Sequence, residues 1–311
     1  MYHRVDAVDT DPWGICVAPE MFEKQIQYVT CRHTVITLSE AVAQVAAGAI
    51  KEQSVCITFD DGYADNYLLA KAILERYNCP ATFFIPTAFI GTAEPFWWDE
   101  LEYIFLHLRQ LPRRLVLSIN GEDLCYDING DVLTESVWQQ HKSWRWYETL
   151  PTDRCSVFLA VWERLRPLPL AAIKEQLAGL RVWADCQAPP SFRSVMNREQ
   201  FEAHFSNPLF SVGMHTHTHS DLGVSDERSQ IEEIETNRRL LQTKDNIHSL
   251  HLAYPYGRYN DATITAVKQL KIAACFTTEG SRLNASSDTT TLGRYQVCNW
   301  GVEEFKSKLR L

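Results

Sequence analysis

Apolar residues along this chain gather in short β-branched or aromatic runs, separated by longer amphipathic stretches. That alternation predicts strands and helices taking turns, the pattern of a parallel α/β architecture. Tyr2-His3-Arg4-Val5 reads as an opening strand, and a polar loop follows it as far as Pro19. Phe22, Ile26 and Val29 share one face of a helix over residues 19–29. Residues 35–38 predict a short strand, Ser39 the cap of a helix over 41–47, and Gly48 its end. Residues 54–59 are apolar enough for a fully buried strand. Residues 64–77 are amphipathic, with Leu68, Ile73 and Leu74 among the apolar positions, and Pro80 stops that helix before a strand at 81–85.

The rhythm breaks between about residues 92 and 190. Seven of the nine tryptophans fall there: Trp97, Trp98, Trp138, Trp144, Trp146, Trp162 and Trp183. Residues 116–119 and 124–128, joined around Asn120-Gly121-Glu122-Asp123, suggest a hairpin, and 157–166 and 170–180 read as helices. The stretch reads as one long helical and hairpin insertion within a single 1–311 domain. Beyond it come a short helix at 197–203, a strand at 210–214 and a charged helix at 226–241, glutamates early and arginines late as its dipole favours. A strand at 250–254, a helix at 262–270 and a strand at 273–277 follow, with no internal repeat.

Composition narrows the partners. A net charge of −9, with no block of like charges, argues against nucleic acid or an anionic membrane as the main partner. No apolar run approaches the roughly 18 residues of a membrane span. The first residues lack the pattern of a secretory signal and read as an opening strand that a few residues could precede. The nine cysteines are scattered, with no zinc-knuckle or redox spacing, and read as small core residues of a reducing, cytoplasmic compartment. The oligomeric state is not legible.

Two stretches carry candidate chemistry. The buried run at 54–59 ends in Asp60-Asp61-Gly62, where a strand would give way to a loop. In a barrel of parallel strands the carboxyl ends carry the reactive groups. Two adjacent aspartates on an extended segment point different ways, so one could bind a metal while the other faces a reacting water; a solvated acidic turn is the plainer alternative. The second stretch, His215-Thr216-His217-Thr218-His219, follows the strand at 210–214. If it turns helical, His215 and His219 share a face and, with one carboxylate, make a three-ligand metal site with an open position. His217 would then point away. A solvent-facing histidine-rich turn is the alternative.

Thr58-Phe59-Asp60-Asp61-Gly62, His215-x-x-x-His219 and Tyr254-Pro255-Tyr256-Gly257 stand in the order seen in the polysaccharide deacetylase superfamily, carbohydrate esterase family four, which this chain resembles outside the 92–190 stretch. The resemblance implies a deformed (β/α) barrel of about seven parallel strands. It implies that Asp61, His215 and His219 hold a divalent metal, usually zinc, and that Asp60 is the general base. It further implies that the Tyr63 main chain serves as an oxyanion donor, with Tyr254, Pro255 and Tyr256 lining the substrate site. Trp97 and Trp98, just after a strand, are candidates for stacking on sugar rings, although any single tryptophan in that stretch reads first as core.

The sequence departs from the family pattern twice. Members commonly carry Arg two positions before the third-motif proline, where Ala253 stands here; Arg294 is the substitute expected to reach Asp60 from another strand. The usual carboxy-terminal Leu-x-His segment is absent. Tyr2-His3-Arg4-Val5 resembles instead the permuted branch that includes poly-N-acetylglucosamine deacetylases, whose acid histidine lies on the first strand, which makes His3 the candidate general acid and a core histidine the alternative. The expected activity is metal-dependent hydrolysis of an N-acetyl group from an amino sugar of a polysaccharide or glycan. Deformylation or deacetylation of a nucleotide- or lipid-linked sugar precursor is the rival within the enzyme class. A catalytically weak glycan-binding relative is the rival outside it.

Overall fold

The buried runs assemble into one parallel sheet. In the computed structural model, which describes residues 1–92, 94–119, 121–129, 132–187, 193–242 and 251–309, five strands lie side by side in chain order. They are Ile57–Asp60, Ala81–Ile85, Phe210–Met214, His251–Ala253 and Ala274–Phe276, every neighbouring pair parallel. The sheet belongs to one of two compact units, formed by Met1–Ala7, Ile15–Thr92 and Val195–Leu311.

Side-chain alternation sorts the sheet into two faces. Phe59, Phe83 and Val212 are in register on one face and join the main hydrophobic core with Tyr2, Phe22 and Ile26. The Phe59 and Phe83 rings stack at 4.7 Å, and Tyr2 stacks on Phe59 at 5.3 Å. The helix Pro19–Arg32 seals this face, burying Phe22, Ile26 and Val29. On the opposite face Asp60, Phe84 and Gly213 are in register. A β-carbon at Gly213 would sit 2.4 Å from the Phe84 ring, so glycine is required where the sheet carries that ring.

Main-chain hydrogen bonds continue past both edges of the sheet. Tyr2 N–H donates to Thr58 O (2.8 Å) and Asp60 N–H to Tyr2 O (3.0 Å). At the other edge Leu292 N–H donates to Cys275 O (2.9 Å), and Val297 N–H donates to Met1 O (2.9 Å). The sheet therefore curls until residues 292–297 link one edge to the first residues of the chain. Against the about seven strands expected, five join the sheet among the described residues, and the flanking stretches meet it at the single bridges Tyr2–Phe59 and Phe276–Leu292.

Several local expectations shift. The strand expected at 35–38 is only Thr34–Val35, because Leu38 already belongs to the helix Leu38–Ala46. Its cap is Thr37, not Ser39, and Thr37 and Glu40 satisfy each other's main-chain N–H groups. The 64–77 stretch opens as a π-helical segment, Asn66–Ala70, before the helix Lys71–Arg76. The wider turn rotates Leu68 outward to 59% exposure. The expected polar loop before Pro19 contains a two-residue strand, Cys16–Val17, paired with Arg4–Val5. All nine cysteines are free; Cys16, Cys79, Cys155 and Cys275 are buried, while Cys31 and Cys125 are exposed rather than core. Leu250 and Asn120, placed in a strand and a turn by the sequence, lie outside the described residues. Among the described residues no helix is long and apolar enough to cross a membrane.

The second unit comprises Val8–Gly14 and Ala93–Ser194. Its hairpin pairs Arg114–Ile119 with Glu122–Asp127, so Glu122 and Asp123 lie in the second strand rather than the turn. Helices Asp153–Leu165 and Leu170–Trp183 pack around an aromatic core in which Trp13 meets Phe158 (5.3 Å) and Trp162 (4.9 Å). Arg154, 1% exposed, donates to the carbonyls of Phe105 and Leu108 and so caps the segment ending at His107. Arg193, Glu102 and Thr10 form a buried ionic cluster of this unit.

Candidate active site

The strand Ile57–Asp60 ends in a turn that separates the two carboxylates. Asp61 takes a left-handed φ of 74° and Gly62 one of 79°, and Gly62 N–H closes back on Asp60 O at 3.0 Å. The left-handed turn swings Asp61 off the strand direction while Asp60 keeps it.

Asp61 meets the two histidines. Its Oδ1 lies 3.3 Å from His215 Nε2 and 3.3 Å from His219 Nε2, and the three ligand atoms fall within 4.8 Å of one another. The histidines reach this arrangement without a helix. Residues 215–219 form a loop in which Thr216 (φ 59°) and His219 (φ 57°) are left-handed, and those reversals bring the two rings together. His217 turns away, as expected, to pair with Thr87 Oγ1 at 3.0 Å.

The donor set fits a divalent cation. Asp61 Oδ1 is buried and makes no hydrogen bond of good geometry, although two ring nitrogens face it. His215 Nδ1 lies 2.8 Å from Ala253 O, a contact that needs the proton on Nδ1 and leaves the Nε2 lone pair directed at Asp61. One carboxylate oxygen and two imidazole nitrogens leave open positions on a cation held there. Burial alone would raise the Asp61 pKa, but the His215 and His219 rings outweigh it and hold the carboxyl far below the usual range. Burial lowers the His219 pKa, against the pull of Asp61, which favours the neutral ring a metal needs.

Asp60 is held by Arg294. The guanidinium donates from Nη1 to Oδ1 and from Nη2 to Oδ2, both at 2.7 Å, a bidentate pair. Arg294 also donates to Thr58 Oγ1 (3.3 Å) and Thr277 O (3.2 Å), and its charge lies over the Phe84 ring at 5.1 Å. Burial by itself would raise the Asp60 pKa; Arg294, with His215 and His3, holds it below the usual carboxylate value.

His3 stands within electrostatic reach of Asp61, Asp60, Arg294 and His215. Burial lowers its pKa, the two aspartates oppose that, and its buried Nδ1 has no hydrogen-bond partner among the described residues. Asn66 fixes its main chain by donating to His3 O (2.9 Å), and Asp65 accepts from Val5 N–H (3.1 Å).

The remaining candidates scatter. Tyr256, left-handed at φ 59°, sets its ring edge-on to His219 at 4.6 Å. Tyr254 and Pro255 are buried, and the Tyr254 hydroxyl donates to Thr290 O (2.8 Å), so its side chain supports the loop. Tyr63 is buried beneath Arg4, whose charge lies 4.8 Å from its ring centre. Trp97 and Trp98 are 3% and 5% exposed within the second unit, Trp98 stacked on Phe96 at 4.4 Å. The sequence shows Thr58 only as part of its motif and gives no sign of Asn66, Glu233 and Asn237; the last two, one helical turn apart on a charged helix, are legible only as part of its polar face.

The family model for polysaccharide deacetylases matches residues 47–106 and 189–275, the first stretch carrying Asp60 and Asp61 and the second His215 and His219. Over those two stretches the chain is similar to the polysaccharide deacetylase family. The matched family implies carbohydrate deacetylation, a hydrolase activity. His3 and Arg294 lie outside the matched stretches. Solved structures share the fold. The deacetylase PplD of Streptococcus pyogenes, in complex with acetate, superimposes with a TM-score of 0.61 at 16% identity, over 99% of this chain and 96% of that one. IcaB from Ammonifex degensii gives 0.58 at 17% over 100% and 95%, and a de-N-acetylase from Aggregatibacter actinomycetemcomitans gives 0.56 at 14% over 99% and 97%. No curated protein sequence matches significantly.

Proposed function

We propose that this deacetylase is a metal-dependent amidohydrolase that removes an N-acetyl group from an amino sugar of a polysaccharide or glycan. The observation that carries the reading is the Asp61–His215–His219 trio next to an Asp60 clamped by Arg294. Asp61, His215 and His219 would hold the cation, zinc being the ion their donor set suits. A divalent cation there supplies Lewis acidity and lowers the pKa of water. Asp60, kept ionised by Arg294, takes the proton of the attacking water as its oxygen bonds to the acetamide carbon. The Tyr63 main-chain N–H is the family's donor to the oxygen that gains charge. His3 gives its proton to the nitrogen as the C–N bond breaks, so that amine and acetate leave. The Streptococcus pyogenes relative was solved with acetate, the acid such a reaction releases. His3, immediately before the first strand Arg4–Val5, also supports the branch that includes the poly-N-acetylglucosamine deacetylases.

The Asp60–Arg294 pair counts against a binding-only relative, because the cation missing at Ala253 is supplied from residue 294. The test is release of free amine from N-acetylglucosamine oligomers by the zinc- or cobalt-loaded protein. Turnover should vanish on chelation and return with metal; oligomer binding without turnover would overturn the enzyme reading.

Arg294 carries a pH prediction. It depresses the Asp60 pKa, so Asp60 remains ionised down to low pH and the acid limb of the activity profile lies on the acid side. Arg294→Met removes the only guanidinium contact described to Asp60, which should move that limb to higher pH while alkaline activity is less affected. A profile of kcat/KM against pH that does not shift would separate Arg294 from the base.

A further inference from the structure

We infer that one helix sets the spacing of the two metal-site histidines, with Asn237 and Glu233 as its positioning residues; the inference rests on the metal-site reading above. Glu227–Leu241 runs behind the 215–219 loop and presents these two residues one turn apart on a single face. Asn237, fully buried, holds the loop's first end: its Oδ1 accepts from His215 N–H at 3.1 Å. Its Nδ2 donates to Ile85 O (3.0 Å) and Thr87 Oγ1 (3.0 Å), and Thr87 in turn pairs with His217. The His215 main chain is thereby pinned to the end of the neighbouring strand.

Glu233 holds the other end. Its Oε2 accepts from Thr218 N–H and its Oε1 from Thr218 Oγ1, both at 2.7 Å, immediately before His219. Between the two anchors the loop contains the left-handed Thr216 and leads into the left-handed His219, conformations that non-glycine residues hold only when their surroundings impose them. With both anchors on one rigid helix, the imidazoles stay converged on Asp61. Neither residue touches Asp61 in any described contact, so their influence on the metal must pass through the loop.

Zinc titration of the full chain by competition with a chromophoric chelator tests this. Asn237→Ala and Glu233→Ala should each weaken zinc binding about 10- to 100-fold, the size found for residues that orient ligands, with kcat largely restored at saturating zinc. Glu233→Gln keeps an acceptor for Thr218 N–H and should bind like the unaltered protein. If Glu233→Gln is as weak as Glu233→Ala, the carboxylate acts through its charge and the clamp is wrong; unchanged zinc affinity in both alanine variants would also overturn it. His215→Ala is the control for the site itself. An unaltered protein that takes up no zinc, or a His215→Ala variant that binds as well as it does, defeats the metal-site reading rather than the clamp. Should Asn237→Ala not fold, Glu233, on the partly exposed side of the helix, decides alone.

Discussion

Asp60→Asn should lower kcat by about 10² to 10⁴ while the protein still binds its full complement of metal. The expectation rests on the division of labour at the turn. Asn is isosteric and can still accept from Arg294 through its carbonyl oxygen, so the fold around the strand end is kept. What is lost is the anionic oxygen that takes a proton. Asp61 Oδ1 faces both ring nitrogens, the position proposed for the metal, while Asp60 is engaged by Arg294. Measuring bound zinc and steady-state rates on the same preparation checks both halves. A variant that loses its zinc would mean that the two aspartates have exchanged roles.

His3→Ala should reduce kcat by a similar factor, about 10² to 10⁴, with KM and zinc affinity nearly unchanged. Expelling an unprotonated amide nitrogen is far too costly, so a proton donor is required near the scissile bond. Among the other histidines of the site, His215 and His219 face Asp61, and His217 is engaged with Thr87. His3, which faces no metal-site carboxylate oxygen in any described ion pair, combines a position in electrostatic reach of both aspartates with a buried Nδ1 that no described group occupies. Its pKa is lowered by burial, so the protonated ring is a stronger acid than a free imidazolium and the population carrying the proton shrinks as pH rises. The unaltered enzyme should therefore lose kcat on an alkaline limb that the variant lacks. A variant with near-normal turnover on an unactivated acetamide would remove His3 from the mechanism.

The site was legible in the sequence where chemistry and adjacency coincide. Asp60-Asp61 at the end of an apolar run, and three closely spaced histidines after another, announce themselves because packing rarely demands such clusters. The path of the 215–219 loop was not legible. A spacing of four reads as one turn of helix, whereas the chain uses two left-handed residues instead, and those depend on anchors in a distant helix. Asn237 carried no signal for the same reason: an asparagine on a charged helix is ordinary until its neighbours in space are known. Leu68 misled because the apolar periodicity of 64–77 assumes α-helical pitch, and the π-helical start shifts the phase. The Thr37 cap was hidden by the neighbouring Ser39, equally suited by residue type.

The closure of the sheet by residues 292–297 has a consequence for how the chain comes to life on the ribosome. Asp60 and its guanidinium partner are separated by 234 residues, and no other cation contacts that carboxylate among the described residues. A nascent chain can bury Phe59 against Phe83 long before Arg294 has been synthesised. Until then the carboxylate at the head of that strand must stay hydrated or take up a proton, because burying it charged and alone is expensive. The surroundings of Asp60 therefore cannot become dry before residue 294 has been added, and synthesis stopped short of Arg294 would leave that end of the sheet wet.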